Sequence, residues 1–98
     1  MSGAAERAPA RAAEMERRLR AALTVGTVEI IDESHLHVGH AGARDGRGHF
    51  RLRLSAAEFK DLPMIRRHRL IYDALGDLMQ TDIHALTIEA RVPDGSGD

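Results

Sequence analysis

Apolar positions along this chain follow two periods, one near 3.6 and one of 2, and the switches between them mark the elements. From Pro9 to about Leu23, the residues Met15, Leu19, Ala22 and Leu23 recur at spacings of three and four, as on one face of a helix. Glu16, Arg17 and Arg20 take the opposite face. Proline is tolerated in a first turn, so the helix is expected to begin near Pro9, and Thr24 to Gly26 to end it. Thr27 to Asp32 (Thr-Val-Glu-Ile-Ile-Asp) is rich in β-branched residues and reads as a strand. His49 to Leu54 alternates, with Phe50, Leu52 and Leu54 on one side and His49, Arg51 and Arg53 on the other. That is the pattern of a half-buried antiparallel strand.

Ser55-Ala56-Ala57-Glu58 has the spacing of a capping box, Ser55 at the N-cap and Glu58 at N3. It predicts a short helix carrying Phe59. Pro63 then opens a longer helix expected to run to about Gln80. Ile83 to Val92 alternates again; His84, Leu86, Ile88 and Ala90 share a face expected to point inward, and Thr87, Glu89 and Arg91 share the other. The order helix, strand, strand, helix, helix, strand predicts an α+β two-layer sandwich, a three-stranded sheet with its helices on one face.

Ninety-eight residues suffice for one modest core. Residues 10–93 are expected to form the domain, with disordered tails at 1–9 and 94–98. Only Phe50, Phe59 and Tyr72 are aromatic, so Leu, Ile, Val and Met must fill most of the core. The formal net charge of −1 supplies no global attraction to nucleic acid or anionic lipid. Lys60 is the single lysine beside thirteen arginines, a bias that suits bidentate pairing. The chain has no cysteine. It therefore forms no disulfide, and any iron–sulfur cluster held here must take its thiolates from another molecule. No run is long and apolar enough to span a bilayer, and no signal-peptide core is present. A cytoplasmic location, without membrane attachment, is the default expectation.

Two features invite chemistry. Residues 33–48 contain Gly39, Gly42, Gly46 and Gly48 together with His35, His37 and His40, and a loop of that length in a small domain is usually functional or mobile. Its His-x-His-x-x-His spacing is short enough to chelate zinc or nickel. The second feature is His68. At roughly 100° per residue, Met64, Ile65, Ile71, Tyr72, Leu75 and Met79 all fall within about 60° of its direction, while Arg67 and Arg69 flank it. A histidine so placed is either a satisfied core residue or a metal ligand or proton carrier at the rim of the core. Ser34 near His35 and His37 lacks a defined orienting acid, so catalysis has little support and no enzymatic activity is expected. His49 and His84 read as structural.

Five segments in order carry a family resemblance: Asp32-Glu33-Ser34 before a histidine loop; Gly48-His49-Phe50-Arg51-Leu52; Ser55 to Leu62; Arg67-His68-Arg69-Leu70-Ile71-Tyr72-Asp73-Ala74-Leu75; and His84-Ala85-Leu86-Thr87-Ile88. Over about residues 12–93 the chain resembles the BolA family. The resemblance implies an α-β-β-α-α-β variant of the class II KH fold. It implies a monothiol glutaredoxin as partner and a bridging [2Fe–2S] cluster, completed by a partner cysteine and a glutathione thiolate. The role is cluster delivery or iron and redox regulation. It implies His68 as one ligand and His37 or His40 as the other, with Arg67 and Arg69 meeting glutathione carboxylates or acidic partner groups. The isolated protein is expected to be a cofactor-free monomer. Some family members are described as DNA-binding transcription regulators, so DNA is a second candidate partner. The usual KH RNA clamp is a GxxG between two helices, and here that junction is Lys60-Asp61-Leu62-Pro63.

Overall fold

A computed structural model describes residues 3–34 and 48–93, with side chains from residue 10 onward. The elements are α1 (Gly3–Ala22), β1 (Val25–Asp32), β2 (Gly48–Ala56), a 3₁₀ turn (Ala57–Phe59), α2 (Met64–Leu75), α3 (Leu78–Thr81) and β3 (Ile83–Arg91). The strand order is β1-β2-β3. The central strand β2 runs antiparallel to β1 and parallel to β3, so the sheet is mixed and the fold is α+β.

Alternation along β2 sets the layering. Phe50, Leu52 and Leu54 are 2%, 0% and 2% exposed. They share one core cluster with Met15 and Leu19 of α1, Phe59 of the 3₁₀ turn, and Ile71 and Leu75 of α2. Burying one such side chain stabilises by about 1.5–3 kcal/mol. The other face of the sheet is charged. Arg53 on the central strand reaches Glu89 on β3 at 2.9 Å and Glu29 on β1 at 3.3 Å, and Arg51 pairs with Glu33 at 3.0 Å.

Four expectations are corrected by the structure. First, α1 is helical from Gly3 and encloses Pro9; the preceding Ala4-Ala5-Glu6-Arg7-Ala8 run consists of strong helix formers. Second, Ser55 and Glu58 do not form a capping box. Ser55 belongs to β2, and its hydroxyl accepts the Thr27 amide at 2.8 Å. Glu58 turns outward and accepts the Thr24 amide at 2.9 Å. Sheet pairing has claimed the serine, so both side chains tie β1 and its lead-in to the end of β2. Third, the long helix ends at Leu75. Gly76 lies at φ 58°, ψ −128° with its amide on Tyr72 O, a conformation essentially reserved for glycine. Fourth, His84 is exposed instead of inward. The β2–β3 register shifts so that Gly48 pairs with Ile83 and His49 with Ala85. His84 is the extra residue, and Ile83, 1% exposed, takes the core position.

Gly76→Ala isolates the backbone cost. An added Cβ would meet its nearest atom, Arg18 Nη1, at an ordinary 3.5 Å, so only conformational strain remains. We expect a loss of about 1–3 kcal/mol, read as a lower urea midpoint.

Two carboxylates give the fold an acid-sensitive edge. The Arg17 and Arg18 guanidinium groups hold the Glu14 carboxyl at about 2 instead of 4.5, and the Thr24 amide lowers Glu58. A depressed folded-state pKa means that the unfolded chain binds the proton more tightly. Their stabilisation is therefore present above pH 4.5 and is lost as pH falls toward 2. The slope of urea midpoint against pH across that window should flatten in the Glu14→Gln/Glu58→Gln variant.

Candidate functional site

α2 carries His68 in its second turn, and the stripe predicted around it divides. Ile71 and Leu75 are fully buried, but Met64, Ile65 and Tyr72 are 51%, 73% and 41% exposed. His68 is half-buried at the boundary. Its Nε2 is buried and has no hydrogen-bond partner among the described residues. It lines a cleft of about 530 Å³ with Leu62, Met64 and Ile88 to Arg91 of β3.

Arg67 is not at the rim as expected. It is 7% exposed. Its Nε donates to Leu62 O at 3.0 Å and its Nη1 to Ala90 O at 2.9 Å, and the guanidinium stands 6.0 Å from the Phe59 ring centroid. The local reason is that Pro63 starts α2 just after Leu62, which leaves the Leu62 carbonyl for a side chain to satisfy. Arg67 thus bolts α2 to the preceding turn and to β3. Arg69 is exposed, and no carboxylate among the described residues pairs with it or with Arg66.

A second constellation lies at the opposite end of the sheet. The Glu33 amide donates to His49 O at 2.7 Å, and the Gly48 amide to Asp82 O at 2.8 Å. The His49 amide donates to Ser34 Oγ at 3.0 Å, while the Ser34 amide is held by Asp32 Oδ1 at 2.8 Å. A Cβ on Gly48 would lie 2.6 Å from the Phe50 ring and 3.0 Å from Ser34 Oγ, so the backbone approach there requires glycine. This packing brings the His49 and His84 rings together, centroids 5.1 Å apart at 42°, within the range of favourable aromatic pairs. His49 is 8% exposed, whereas His84 is open to solvent.

The loop with His35, His37 and His40 lies outside the described residues, but both its anchors, Ser34 and Gly48, belong to this second constellation. His68 does not. Its β3 neighbours begin at Ile88, four residues beyond His84, roughly 13 Å at a strand rise of 3.3 Å per residue. The His49–His84 pair escaped sequence reading because strict alternation puts the two on different faces. Gly48 was the one local hint of the register shift that joins them.

Among the described residues no three His, Cys, Asp or Glu side chains cluster to hold a metal ion. Exposed His84 and the buried-edge nitrogen of His68 fit the chemistry of single imidazole donors, so a complete centre needs donors from the loop, a second protein, or both. Among the described residues, too, no helix is long and apolar enough to cross a membrane.

Comparison with known proteins follows the same outline. The family model described as BolA-like protein matches residues 19–95. Protein BOLA1, chloroplastic, of Arabidopsis thaliana is 35% identical over 98 residues, which cover 97% of this chain and 59% of that protein. SufE-like protein 1, chloroplastic/mitochondrial, of the same plant is 42% identical over 71 residues, 67% of this chain but 19% of that protein. The DNA-binding transcriptional regulator BolA of Escherichia coli K12 is 35% identical over 74 residues, 76% of this chain and 68% of that one. This chain therefore spans less than two thirds of the two plant relatives. The solved BolA domain of SufE1 from Arabidopsis thaliana superposes with a TM-score of 0.74 at 36% identity, covering 85% of this chain and 92% of that one.

Proposed function

The chain belongs to the BolA family, and on that premise we propose that it is a non-catalytic adaptor that binds a monothiol glutaredoxin and co-ligates a [2Fe–2S] cluster with it. The observation that carries this reading is an exposed imidazole, His84, packed on the ring of His49, the residue that bonds one anchor of a histidine-bearing loop, Ser34, and directly follows the other, Gly48. The absence of cysteine fits the same division of labour: thiolates come from the partner and glutathione, imidazoles from this chain. Imidazole in place of thiolate raises the reduction potential of such a centre.

The geometry favours His84 over His68 as the ligand from the folded core. His37 is three residues past Ser34, at most about 11 Å of chain, and Ser34 bonds the backbone of the residue whose ring packs on His84. His40, eight residues before Gly48, is tethered to the same end. His68 is a strand segment away, with its Nε2 covered. Arg69 and Arg66, exposed beside the apolar Ile65 and Tyr72, suit acidic groups of the partner or glutathione.

The test mixes the purified protein with a cluster-loaded monothiol glutaredoxin and records visible circular dichroism and complex mass. A changed cluster spectrum and a heteromeric complex are expected; an unchanged spectrum with no complex rejects the reading. Separate His37→Ala and His40→Ala variants identify the loop ligand as the one whose loss reverts the spectrum.

The name of the Escherichia coli relative and the exposed Arg66 and Arg69 favour a second reading, DNA regulation. It requires duplex binding whose affinity falls with salt and with Arg69→Ala; binding of neither kind would remove it.

A further inference from the structure

The exposed His84 ring packs against the ring of His49. His49 sits on the central strand, fixed at its amide by Ser34 Oγ and at its carbonyl by Glu33. Its ring is buried while the ring that it touches is exposed. A side chain at a register shift has lost the regular cross-strand neighbours that normally restrict it. On β2 the His84 ring packs against the His49 ring, at 5.1 Å and 42°. Ala85, the pairing partner of His49, is too small to compete for that space.

We infer that His49 is a positioning residue: its buried ring, packed against His84, holds the His84 imidazole in one rotamer and so sets the direction in which that imidazole is presented. The consequence for cluster binding rests on His84 being the ligand; the positioning itself does not. An exposed imidazole otherwise samples several staggered wells, and a partner must then select one of them on binding. A pre-set ring removes that cost.

The test uses the full chain in two states. In the protein alone, three-bond couplings across the His84 χ1 angle should report one rotamer for the wild type and averaged values for His49→Ala. His49→Phe, which keeps an aromatic face without ring nitrogens, should restore the single-rotamer values. His49→Leu, which fills the strand position without an aromatic face, is read in the same way as His49→Ala and replaces it should that variant not fold. Single-rotamer couplings at His84 in a folded His49→Ala or His49→Leu protein would overturn the inference.

With cluster-loaded glutaredoxin, His49→Ala should weaken co-ligation roughly ten- to hundredfold, the range seen when a partner that orients a metal ligand is lost, and His49→Phe should recover most of it. If His84→Ala leaves the cluster spectrum untouched, the ligand reading fails while the coupling measurement still decides the positioning role. If His84→Ala abolishes the spectrum and His49→Ala leaves both couplings and affinity unchanged, the positioning role alone is rejected.

Discussion

His84→Ala should remove the change that this protein imposes on the visible circular dichroism of a cluster-loaded monothiol glutaredoxin, and His68→Ala should leave most of it in place. The expected loss of co-ligation for His84→Ala is at least about a hundredfold, since even indirect partners of metal ligands are worth ten- to hundredfold. The asymmetry follows from position. His84 is exposed, displaced from strand alternation by the register shift, and packed on His49, the residue bonded to Ser34 and next to Gly48 at the two ends of the histidine loop. His68 keeps its Nε2 buried and lines a cleft with the far half of β3. His84 lies at the surface and outside the core cluster, so the melting temperature of His84→Ala should stay close to wild type. Reversal of the two effects would return the ligand to α2, and equal effects would reject either histidine as sole ligand from the folded core.

Arg67→Met should be the most destabilising exchange among the arginines of the helices. Methionine fills much of the same space but offers no donor. The carbonyls of Leu62 and Ala90, now bonded at 3.0 and 2.9 Å, would be left in a region where Arg67 itself is 7% exposed. An abandoned buried acceptor costs about 1–3 kcal/mol, so about 2–6 kcal/mol is expected for the pair. For a domain of this size that is a fall in melting temperature of at least roughly 8 °C. Arg67→Lys should recover little, because one ammonium cannot reproduce a planar fork aimed at two acceptors. Arg69→Met, on the exposed side of the same helix, should stay within about 0.5 kcal/mol. A loss below 1 kcal/mol for Arg67→Met would refute the bolt.

These two arginines show how far the chain could be read unaided. A helical wheel makes Arg67 and Arg69 equivalent flanks of His68. What distinguishes them is the approach of β3, which brings the Ala90 carbonyl to one and leaves the other in solvent. The same limit applies to the apolar stripe on α2. Spacing puts Met64, Ile65 and Tyr72 with Ile71 and Leu75, yet the sheet covers only part of that arc, so three large side chains stay exposed. Ser55 and Glu58 make the point for caps: a four-residue pattern could not foresee that Thr27 and Thr24, about thirty positions away, would take both side chains.

What the sequence determined by itself is whatever depends on neighbours within a turn or a strand. The period of 2 in β2 and β3, the spacing of Met15 and Leu19, the helix start after Pro63 and the family likeness are all of this kind, and with the element order they yield the α+β layering. What tertiary structure alone decided is which histidines meet. The His49–His84 pair arises from a one-residue register shift between strands separated by two helices. Its physical cause is the fit of Gly48 under the Phe50 ring and of Ile83 into the core. Such a shift reverses the face of one side chain without altering the local pattern that encodes the strand.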